Sequence, residues 1–537
     1  MCVDLNTISL VWPEVILIII AAWIYVGGTA TAGRQFWSLL AVITYAMAAW
    51  VLVRNEGLSW SALQNGAVQW SGPLIVDYFS QIARILCLLV GVLLTLMIAR
   101  RETQRLSSEL IASIMVLVAG LMLVSRANDL VFLFVALELI SIPTYLVLFL
   151  GRQDRATGEA TVKYFFLSIL ASALLLYGMS FLYGAAGGTT VIAGNGSVTG
   201  IREALATATS GADGMSAGRA GLYIVGLVMI VAGLGFKITA VPFHFYAPDV
   251  YQGATNTNAG LLAVAPKIAG ILALVRLVAG TLPPGMDVGW RLILVLAIAT
   301  MTLGNTCALW QKNMRRLMAY SAIAHAGYML IGLAVAMAIP ALGGIAAMVF
   351  YLVVYAAASL GTFAALAYLS NDAGEVGELS ELAGLSRVRP WIAAALAICM
   401  FSLAGIPPLA GFWGKLALFT GAIHVAMVGG TGGQSGWFLV LAIAGVVNSA
   451  IAAAYYLRVV STMYFRAPTV RCPAEGGRSL GVVVAICIMG VLGLGIMPGE
   501  ALKKAKVSDP MLRSTVRPVQ DQTTDVVLTT WRSPTTH

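Results

Sequence analysis

The stretch GLGFKITAVPFHFYAPDVY, residues 233–251, joins a lysine, a histidine and two prolines to a long apolar run. Lys237 follows an uncharged, mostly apolar segment that is long enough to lie within a bilayer. Pro242 follows shortly after, and a proline inside a helix removes a backbone hydrogen bond and kinks or breaks the helix. We therefore expect a membrane helix that carries a cation at depth and is broken near Pro242.

The composition of the whole chain is that of a polytopic membrane protein. The chain has 537 residues, of which 59% are hydrophobic and 10% are charged, and its mean hydropathy is +0.89. Soluble proteins carry about 25% charged residues. Because an unpaired backbone group costs several kcal/mol in lipid, the spans should be helices, which predicts an all-α fold. The sequence has no soluble catalytic domain and no nucleotide-binding loop, so any chemistry takes place in the membrane or in a partner.

The net charge and the cysteines exclude several function classes. The net charge of +9 is interpreted as the excess of lysine and arginine that is typical of cytoplasmic loops. Nucleic-acid binding requires a basic soluble face with interspersed aromatic residues, and the sequence contains none. The six cysteines are scattered without metal-ligand spacing, so we expect no metal or cofactor site in this chain.

About fourteen apolar runs are long enough to cross the membrane. They lie at 9–26, 36–53, 76–99, 110–124, 129–150, 161–184, 219–241, 256–279, 289–310, 316–338, 341–369, 391–427, 437–464 and 480–498. Loops after odd-numbered spans carry most of the basic residues, which predicts a multi-pass protein of the cell inner (plasma) membrane with both termini on the outer side. The longest polar interruption, 185–218, is predicted to be an exposed loop.

The segment 391–427 is too long for one straight crossing, since a helix rises about 1.5 Å per residue. Its centre, AGIPPLAGFWGK, contains two adjacent prolines among glycines and predicts a second broken helix. The broken spans, seven and twelve, are five elements apart, which indicates that spans 4–8 and 9–13 are repeats. Interrupted helices at matching positions of two repeats are typical of a transport site. The predicted regions are an N-terminal three-helix region at 1–105, repeats at 106–280 and 281–466, a last helix at 467–500 and a polar basic tail at 501–537.

Four ionisable residues lie deep within apolar runs, namely Glu138, Lys237, Lys267 and Lys415. Each costs about 2.5–3.5 kcal/mol at the bilayer centre on an insertion scale. Snorkelling or a structural ion pair would explain one isolated charge. Four such charges, two of them beside helix breaks, favour a functional role over a structural one. Burial shifts lysine and glutamate towards the range in which each exchanges a proton, and an adjacent opposite charge restores the charged forms. The pattern predicts proton transfer, and the breaks would admit water.

Two histidines are candidate relay groups, because the unperturbed pKa of histidine is near 6.5. His244 lies in the first break, and His325 lies in the apolar run RRLMAYSAIAHAGYML. For His325, a hydrogen bond between helices is an equally good explanation. Asp249 is predicted to cap or turn the segment after the break, and Lys163 to lie at the membrane interface.

Four long strings identify a family resemblance. They are GLGFKITAVPFHFYAPDVYQGAT (233–255), NMRRLMAYSAIAHAGYMLIGL (313–333), VKYFFLSILASALLLYGMSFLYGAAG (162–187) and SLAGIPPLAGFWGKLALF (402–419). Together they resemble the antiporter-like membrane subunits of proton-pumping NADH–quinone oxidoreductase (respiratory complex I), in the style of subunit N. The resemblance covers about 110–465, most of the chain.

The resemblance implies fourteen helices with two inverted five-helix repeats, and discontinuous helices seven and twelve. It implies a Glu138–Lys237 pair, continued by Lys267 and Lys415 as a polar axis for proton translocation. This chain would be a non-redox subunit of a translocase, driven by quinone reduction elsewhere. NADH, FMN, iron–sulfur clusters and quinone would belong to partner subunits. The partners would be other antiporter-like subunits, small quinone-proximal subunits and membrane lipid, with no nucleic acid.

The sequence departs from the family pattern at two places. Where the family typically has Tyr-Glu-Gly-Ala-Pro-Thr after span seven, this chain has YQGATNTNAG, so Gln252 replaces an acid. Span thirteen has no buried acid or lysine, only Asn448 and, near its end, Arg458. Two other functions stay open at this point: a subunit of a sodium/proton antiporter or membrane-bound hydrogenase, and a structural assembly subunit with no working channel.

Overall fold

The computed structural model describes a chain that is almost entirely helical. The described residues are 9–29, 34–54, 60–64, 67–99, 107–152, 154–193, 200–210, 217–281, 287–370, 375–428, 433–468 and 476–507. Within these ranges, 13 helices are long and apolar enough to cross a membrane, and a shorter apolar helix of 17 residues lies near the start of the chain. The prediction of an all-helical polytopic membrane protein is confirmed.

The N-terminal part of the chain combines helices with a small hairpin. Its elements are α1 (Trp12–Gly28), α2 (Arg34–Arg54), α3 (Trp60–Gln64), β1 (Gln69–Ser71), β2 (Leu74–Val76) and α4 (Tyr78–Ile98). The strands pair antiparallel around Gly72, which has φ +56°. Asp77 caps α4, because its carboxylate accepts a hydrogen bond from the backbone N–H of Ser80 at 2.8 Å. This hairpin was not predicted from the sequence.

The helices that follow carry the first break. They are α5 (Ser107–Arg126), α6 (Leu130–Gly151), α7 (Arg155–Ala186), α8 (Ile201–Ser210), α9 (Ala217–Ile238), α10 (Ala247–Gly253) and α11 (Asn256–Ala273), which continues as a π-helical segment, Leu274–Ala279. Helix α8 corrects one prediction. The segment 185–218 is not only an exposed loop, because Ile201 and Leu205 of α8 are buried.

The remaining helices carry the second break. They are α12 (Asp287–Ala308), α13 (Met314–Ala338), α14 (Gly344–Leu369), α15 (Leu385–Val388), α16 (Pro390–Ala404), α17 (Ala410–Val428), α18 (Gln434–Phe465), α19 (Arg478–Ile496) and α20 (Pro498–Val507). Short 3₁₀ turns lie at Pro340–Leu342 and Leu379–Leu382. The predicted tail, 501–537, begins inside α20, and its residues from 508 onward lie outside the described part of the chain, as do residues 1–8.

Both predicted helix breaks are present. Helix α9 ends at Ile238, and the chain is not helical again until Ala247; the peptide bond before Pro242 is cis. Helix α16 ends at Ala404 and α17 begins at Ala410, with a cis bond before Pro408. At each break the C-terminal carbonyls of a half-helix and the N–H groups of the next are exposed to side chains inside the protein.

Small residues let neighbouring helices approach closely, as is usual between membrane helices. A Cβ built on Gly178 of α7 would lie 2.8 Å from the carbonyl oxygen of Gly226 on α9. A Cβ on Gly270 of α11 would lie 2.4 Å from Cγ2 of Ile238 and 3.5 Å from Cβ of Lys237. The close approach at Gly270 therefore sets the end of α9, and with it Lys237, directly against α11.

Candidate functional site

The basic residues predicted at depth are enclosed by protein. The exposed fractions are 6% for Lys237, 0% for Lys267, 1% for His325 and 3% for Lys415. We call these four residues the lysine–histidine axis. They come from α9, α11, α13 and α17, so the fold assembles them from widely separated parts of the chain.

Lys237 occupies the last turn of α9, beside the first break. Its Nζ donates a hydrogen bond to Oγ of Ser141 on α6 at 2.7 Å. The Ser141 hydroxyl in turn donates to the carbonyl of Leu137 at 2.9 Å. Because its hydrogen is engaged with that carbonyl, the serine oxygen is oriented to accept from the lysine.

Glu138 and Lys237, the pair that the family resemblance implies, are not in direct contact in the described part of the chain. Among the described residues no ion pair joins the two, although the carboxylate still interacts electrostatically with the ammonium. The half-buried Glu138 carboxylate instead accepts a hydrogen bond from Ser172 Oγ on α7 at 2.5 Å. Ser141 lies one helical turn from Glu138, so a hydroxyl stands at the ammonium where the resemblance implied a carboxylate.

Lys267 lies within α11, which is buried along its whole length. The Oη of Tyr251 is 3.5 Å from its Nζ, and the centroid of the same ring is 6.0 Å away. Tyr355 approaches from α14 and donates to the carbonyl of Ala263, one turn before the lysine, at 3.1 Å. Aromatic hydroxyls therefore surround Lys267, and within the described ranges no carboxylate is bonded to its ammonium.

His325 joins the two halves of the axis. Its Nδ1 is 2.6 Å from Oη of Tyr351, and its Nε2 is 2.9 Å from Oη of Tyr456. The Tyr456 hydroxyl also forms a short hydrogen bond with Ser321. Lys267 and Lys415 both lie close enough to interact electrostatically with the imidazole. His325 therefore makes the hydrogen bonds between helices that were one explanation for it, and it also stands between two buried lysines.

Lys415 follows the second break and reaches back across it. Its Nζ donates to the carbonyls of Leu403 and Ala404, each at 2.9 Å, and to Oγ of Ser449 at 3.1 Å. Those carbonyls end α16, and the C-terminus of a helix carries partial negative charge that favours a cation. The ammonium also lies 5.0 Å from the ring centroid of Tyr328.

A polar network on α12 and α18 extends from the axis, and sequence reasoning did not assign it a role. Asn305 donates to Oη of Tyr328 at 3.0 Å and to Oδ1 of Asn448 at 3.2 Å, and it accepts from Tyr455 at 3.1 Å. Span thirteen therefore supplies neutral hydroxyl and amide groups where the sequence showed no buried charge. The adjacent tyrosines 455 and 456, within an otherwise aliphatic run, are the signal that could have revealed it.

The first break also carries a histidine and an acid that are not bonded to the axis. His244 is half-buried and lies close enough to the backbone of Pro242 to form a hydrogen bond with it. Asp249 lies in the first turn of α10 but makes no side-chain cap; it pairs with Arg316 at 2.7 Å and with the exposed Lys163 at 3.4 Å. Gln252, the departure from the family pattern, accepts from the same Arg316 at 2.9 Å.

No cluster of metal ligands is present among the described residues. In those ranges, no group of three or more histidine, cysteine, aspartate or glutamate side chains could hold a metal ion. The chemistry that the arrangement supports is the transfer of protons among buried amines, an imidazole and hydroxyl groups.

Comparison with protein families gives a consistent result. The profile of the family described as NADH:quinone oxidoreductase/Mrp antiporter, TM, matches residues 127–452. The chain is 36% identical to NADH-quinone oxidoreductase subunit N of Sphingopyxis alaskensis, covering 93% of this chain and 97% of the relative. It is 40% identical to subunit N of Methylobacterium nodulans, covering 74% of this chain and 76% of that one.

Solved structures share the fold. A chain of respiratory complex I from Thermus thermophilus, with bound aureothin, has 29% identity and a TM-score of 0.73, covering 91% of this chain and 98% of its own. A chain of the Mrp complex from Dietzia has a TM-score of 0.76 at 19% identity, covering 95% of this chain and 98% of its own. That second likeness concerns the fold alone.

Proposed function

The chain belongs to the subunit N family of NADH–quinone oxidoreductase, the antiporter-like membrane subunits of respiratory complex I, and from this membership we propose that it translocates protons. It is a non-redox part of the translocase and moves protons along the lysine–histidine axis, driven by quinone reduction in partner subunits. The observation that carries the proposal is the enclosure of three lysines and a histidine inside the helical bundle. Buried ionisable residues are costly and in membrane proteins commonly form proton relays.

The first step takes place between Glu138 and Lys237. With Ser141 at the ammonium, the carboxylate is not bonded to the lysine. When the Glu138 carboxylate approaches the Lys237 ammonium, the charged form of the lysine is stabilised. Two opposite unit charges 4 Å apart attract each other by about 4 kcal/mol at an effective dielectric of 20. When the two groups separate, this stabilisation is lost and Lys237 releases its proton towards Lys267 on the adjoining α11.

The later steps run through His325 to Lys415. An imidazole can take a proton on one nitrogen and give one from the other, and both nitrogens of His325 meet tyrosine hydroxyls. The carbonyls that end α16 favour the charged form of Lys415. Displacing the ammonium from these carbonyls removes that stabilisation, and the lysine then releases its proton through the second break. His244 is proposed as a relay at the first break.

The finer architecture is part of the same proposal. Fourteen crossings form two inverted five-helix repeats, at 106–280 and 281–466, flanked by the three-helix region 1–105, the last helix 467–500 and the tail 501–537. The breaks support this arrangement, because each repeat contains one, between α9 and α10 in the first and between α16 and α17 in the second. Both termini lie on the outer side of the cell inner (plasma) membrane.

The partners follow from the proposed role. NADH, FMN, iron–sulfur clusters and quinone are held by partner subunits, and this chain carries no redox cofactor. Other antiporter-like subunits, the small quinone-proximal subunits and membrane lipid surround it.

The test is the number of protons moved per electron by the assembled complex in sealed vesicles. Lys237→Ala and Glu138→Ala should lower this ratio sharply, and Lys237→Arg should also fail, because arginine does not release its proton. Lys503→Ala is the matched control, since this lysine is exposed on α20. Wild-type ratios in an assembled Lys237→Ala complex would favour the structural assembly role instead, and a ratio that requires sodium would favour the sodium/proton antiporter.

A further inference from the structure

The N-terminal helices contain a buried ion pair that is separate from the lysine–histidine axis. Nη2 of Arg84 on α4 lies 2.8 Å from Oε2 of Glu14 on α1, and the two side chains are 0% and 1% exposed. The axis comes from other helices, and nothing in the proposed function uses this pair. It joins two apolar helices inside the region 1–105.

Among the residues that the structure describes, three polar atoms of Glu14 and Gln81 have no hydrogen-bond partner. Oε1 of Glu14 and both amide atoms of Gln81 are buried without a hydrogen bond. Gln81 is fully buried and precedes Arg84 by three positions, so the two residues share a face of α4. Leaving a buried polar group unsatisfied is destabilising, and in native proteins such groups are nearly always paired with protein or water.

The second buried ion pair of this part of the chain shows what a complete set of contacts is. Arg276 binds Asp77 through two parallel hydrogen bonds, Nη1 to Oδ2 at 2.8 Å and Nη2 to Oδ1 at 2.7 Å. Both carboxylate oxygens of Asp77 are therefore occupied. In the Glu14–Arg84 pair only one carboxylate oxygen is occupied, and the amide of Gln81 adds a further acceptor and a donor.

The charges of the ion pair and the unpaired atoms of Glu14 and Gln81 determine which kind of ligand this site can bind. A cation would be repelled by Arg84 and an anion by Glu14, and the pair as a whole is neutral. The open positions are two acceptor oxygens and one amide donor, which a small neutral molecule with both donors and acceptors satisfies. We propose that Glu14, Gln81 and Arg84 enclose an internal water site that completes the contacts between α1 and α4. Internal waters typically make about three hydrogen bonds to otherwise unsatisfied polar groups.

Cys87 provides a native reporter for this site. It is fully buried on α4, close enough to interact electrostatically with both Arg84 and Glu14. Cys399 and Cys487 are also buried, at 0% and 2% exposure, and both lie against Gly361 on α14, distant in sequence from Glu14 and Arg84. Hydroxyl radicals formed from a trapped water oxidise the side chains next to it even where bulk water does not reach.

The experiment is X-ray hydroxyl-radical footprinting of the whole complex in membranes, with oxidation of each cysteine measured by mass spectrometry. Cys87 should be oxidised several-fold faster than Cys399 and Cys487, and Gln81→Met should reduce it to their rate. Equal oxidation of all three cysteines in the wild-type complex would overturn the proposal, and this comparison needs no variant. A high-resolution cryo-EM map decides independently: density within hydrogen-bonding distance of Gln81 and Glu14 Oε1 supports the site, and a direct bond between the two side chains refutes it.

Discussion

The two helix breaks share a backbone plan but hold their lysines in different ways. In each, a half-helix ends at a residue with positive φ, Thr239 at +61° and Gly405 at +87°, and a cis-proline follows three positions later. Lys237 precedes the first break and is held by a hydroxyl from another helix. Lys415 follows the second break and is held by the backbone carbonyls of the half-helix before it. The comparison teaches that helix ends and hydroxyls, rather than direct ion pairs, position these cations.

The residue at the positive-φ position reflects this difference. A Cβ on Gly405 would lie 3.0 Å from Cδ of Lys415, so the lysine occupies the space that a side chain would need. At the first break no lysine folds back, and Thr239 is accommodated with its hydroxyl donating to the carbonyl of Ile238. A β-branched residue with positive φ is unusual and signals local strain.

The largest effect should come from removing the cation at the second break. Lys415→Met leaves the carbonyls of Leu403 and Ala404 without their ammonium and removes a proton carrier, so we expect nearly complete loss of proton translocation. The measurement is the proton-to-electron ratio of reconstituted complex, with Lys503→Met as the exposed control. A wild-type ratio in the assembled variant would remove Lys415 from the pathway.

The next largest effect is expected when threonine, the residue at the positive-φ position of the first break, replaces glycine at the same position of the second break. Gly405→Thr forces a β-branched residue into a positive-φ position, at about 1–3 kcal/mol, and pushes its Cβ against Lys415. We expect less assembled complex and a lower proton ratio in what assembles. Native gel electrophoresis measures the first and vesicle assays the second. If both match the wild type, the side chain of Lys415 does not depend on Gly405.

A smaller effect is expected from the serine at the first break. Ser141→Ala removes the acceptor of the Lys237 ammonium, at about 1–3 kcal/mol for the buried group left unpaired, and allows the lysine to approach Glu138. The proton ratio should fall partially, while Ser141→Thr, which keeps the hydroxyl, should restore it. Equal ratios for the alanine and threonine variants would show that the hydroxyl has no role.

The smallest effect is predicted for Thr239→Gly. Glycine adopts positive φ without steric cost, but its greater freedom in the unfolded chain offsets part of the gain. We therefore expect thermal stability of the subunit within about 1 kcal/mol of wild type, with assembly and proton ratio unchanged. A loss of assembly comparable to that of Gly405→Thr would show that the Thr239 side chain, and not the backbone position, supports the break.

Much of the helical architecture could be predicted, because apolar length and proline position act locally. The breaks near Pro242 and Pro407 are confirmed, and Lys237, Lys267, His325 and Lys415 are buried as predicted. The hairpin at Gln69–Val76 and helix α8 were missed, since such short segments carry weak periodicity. The roles of the six candidate site residues stay predictions.

The sequence by itself determined the class of protein, the broken helices and the burial of the three lysines, since each follows from residues close together in the chain. Only the tertiary structure decided what each charge touches. Ser141 rather than Glu138 binds Lys237, and Tyr351 and Tyr456 flank His325. These partners come from other helices, and hydrogen bonds depend on distances of a fraction of an ångström that helix packing alone sets.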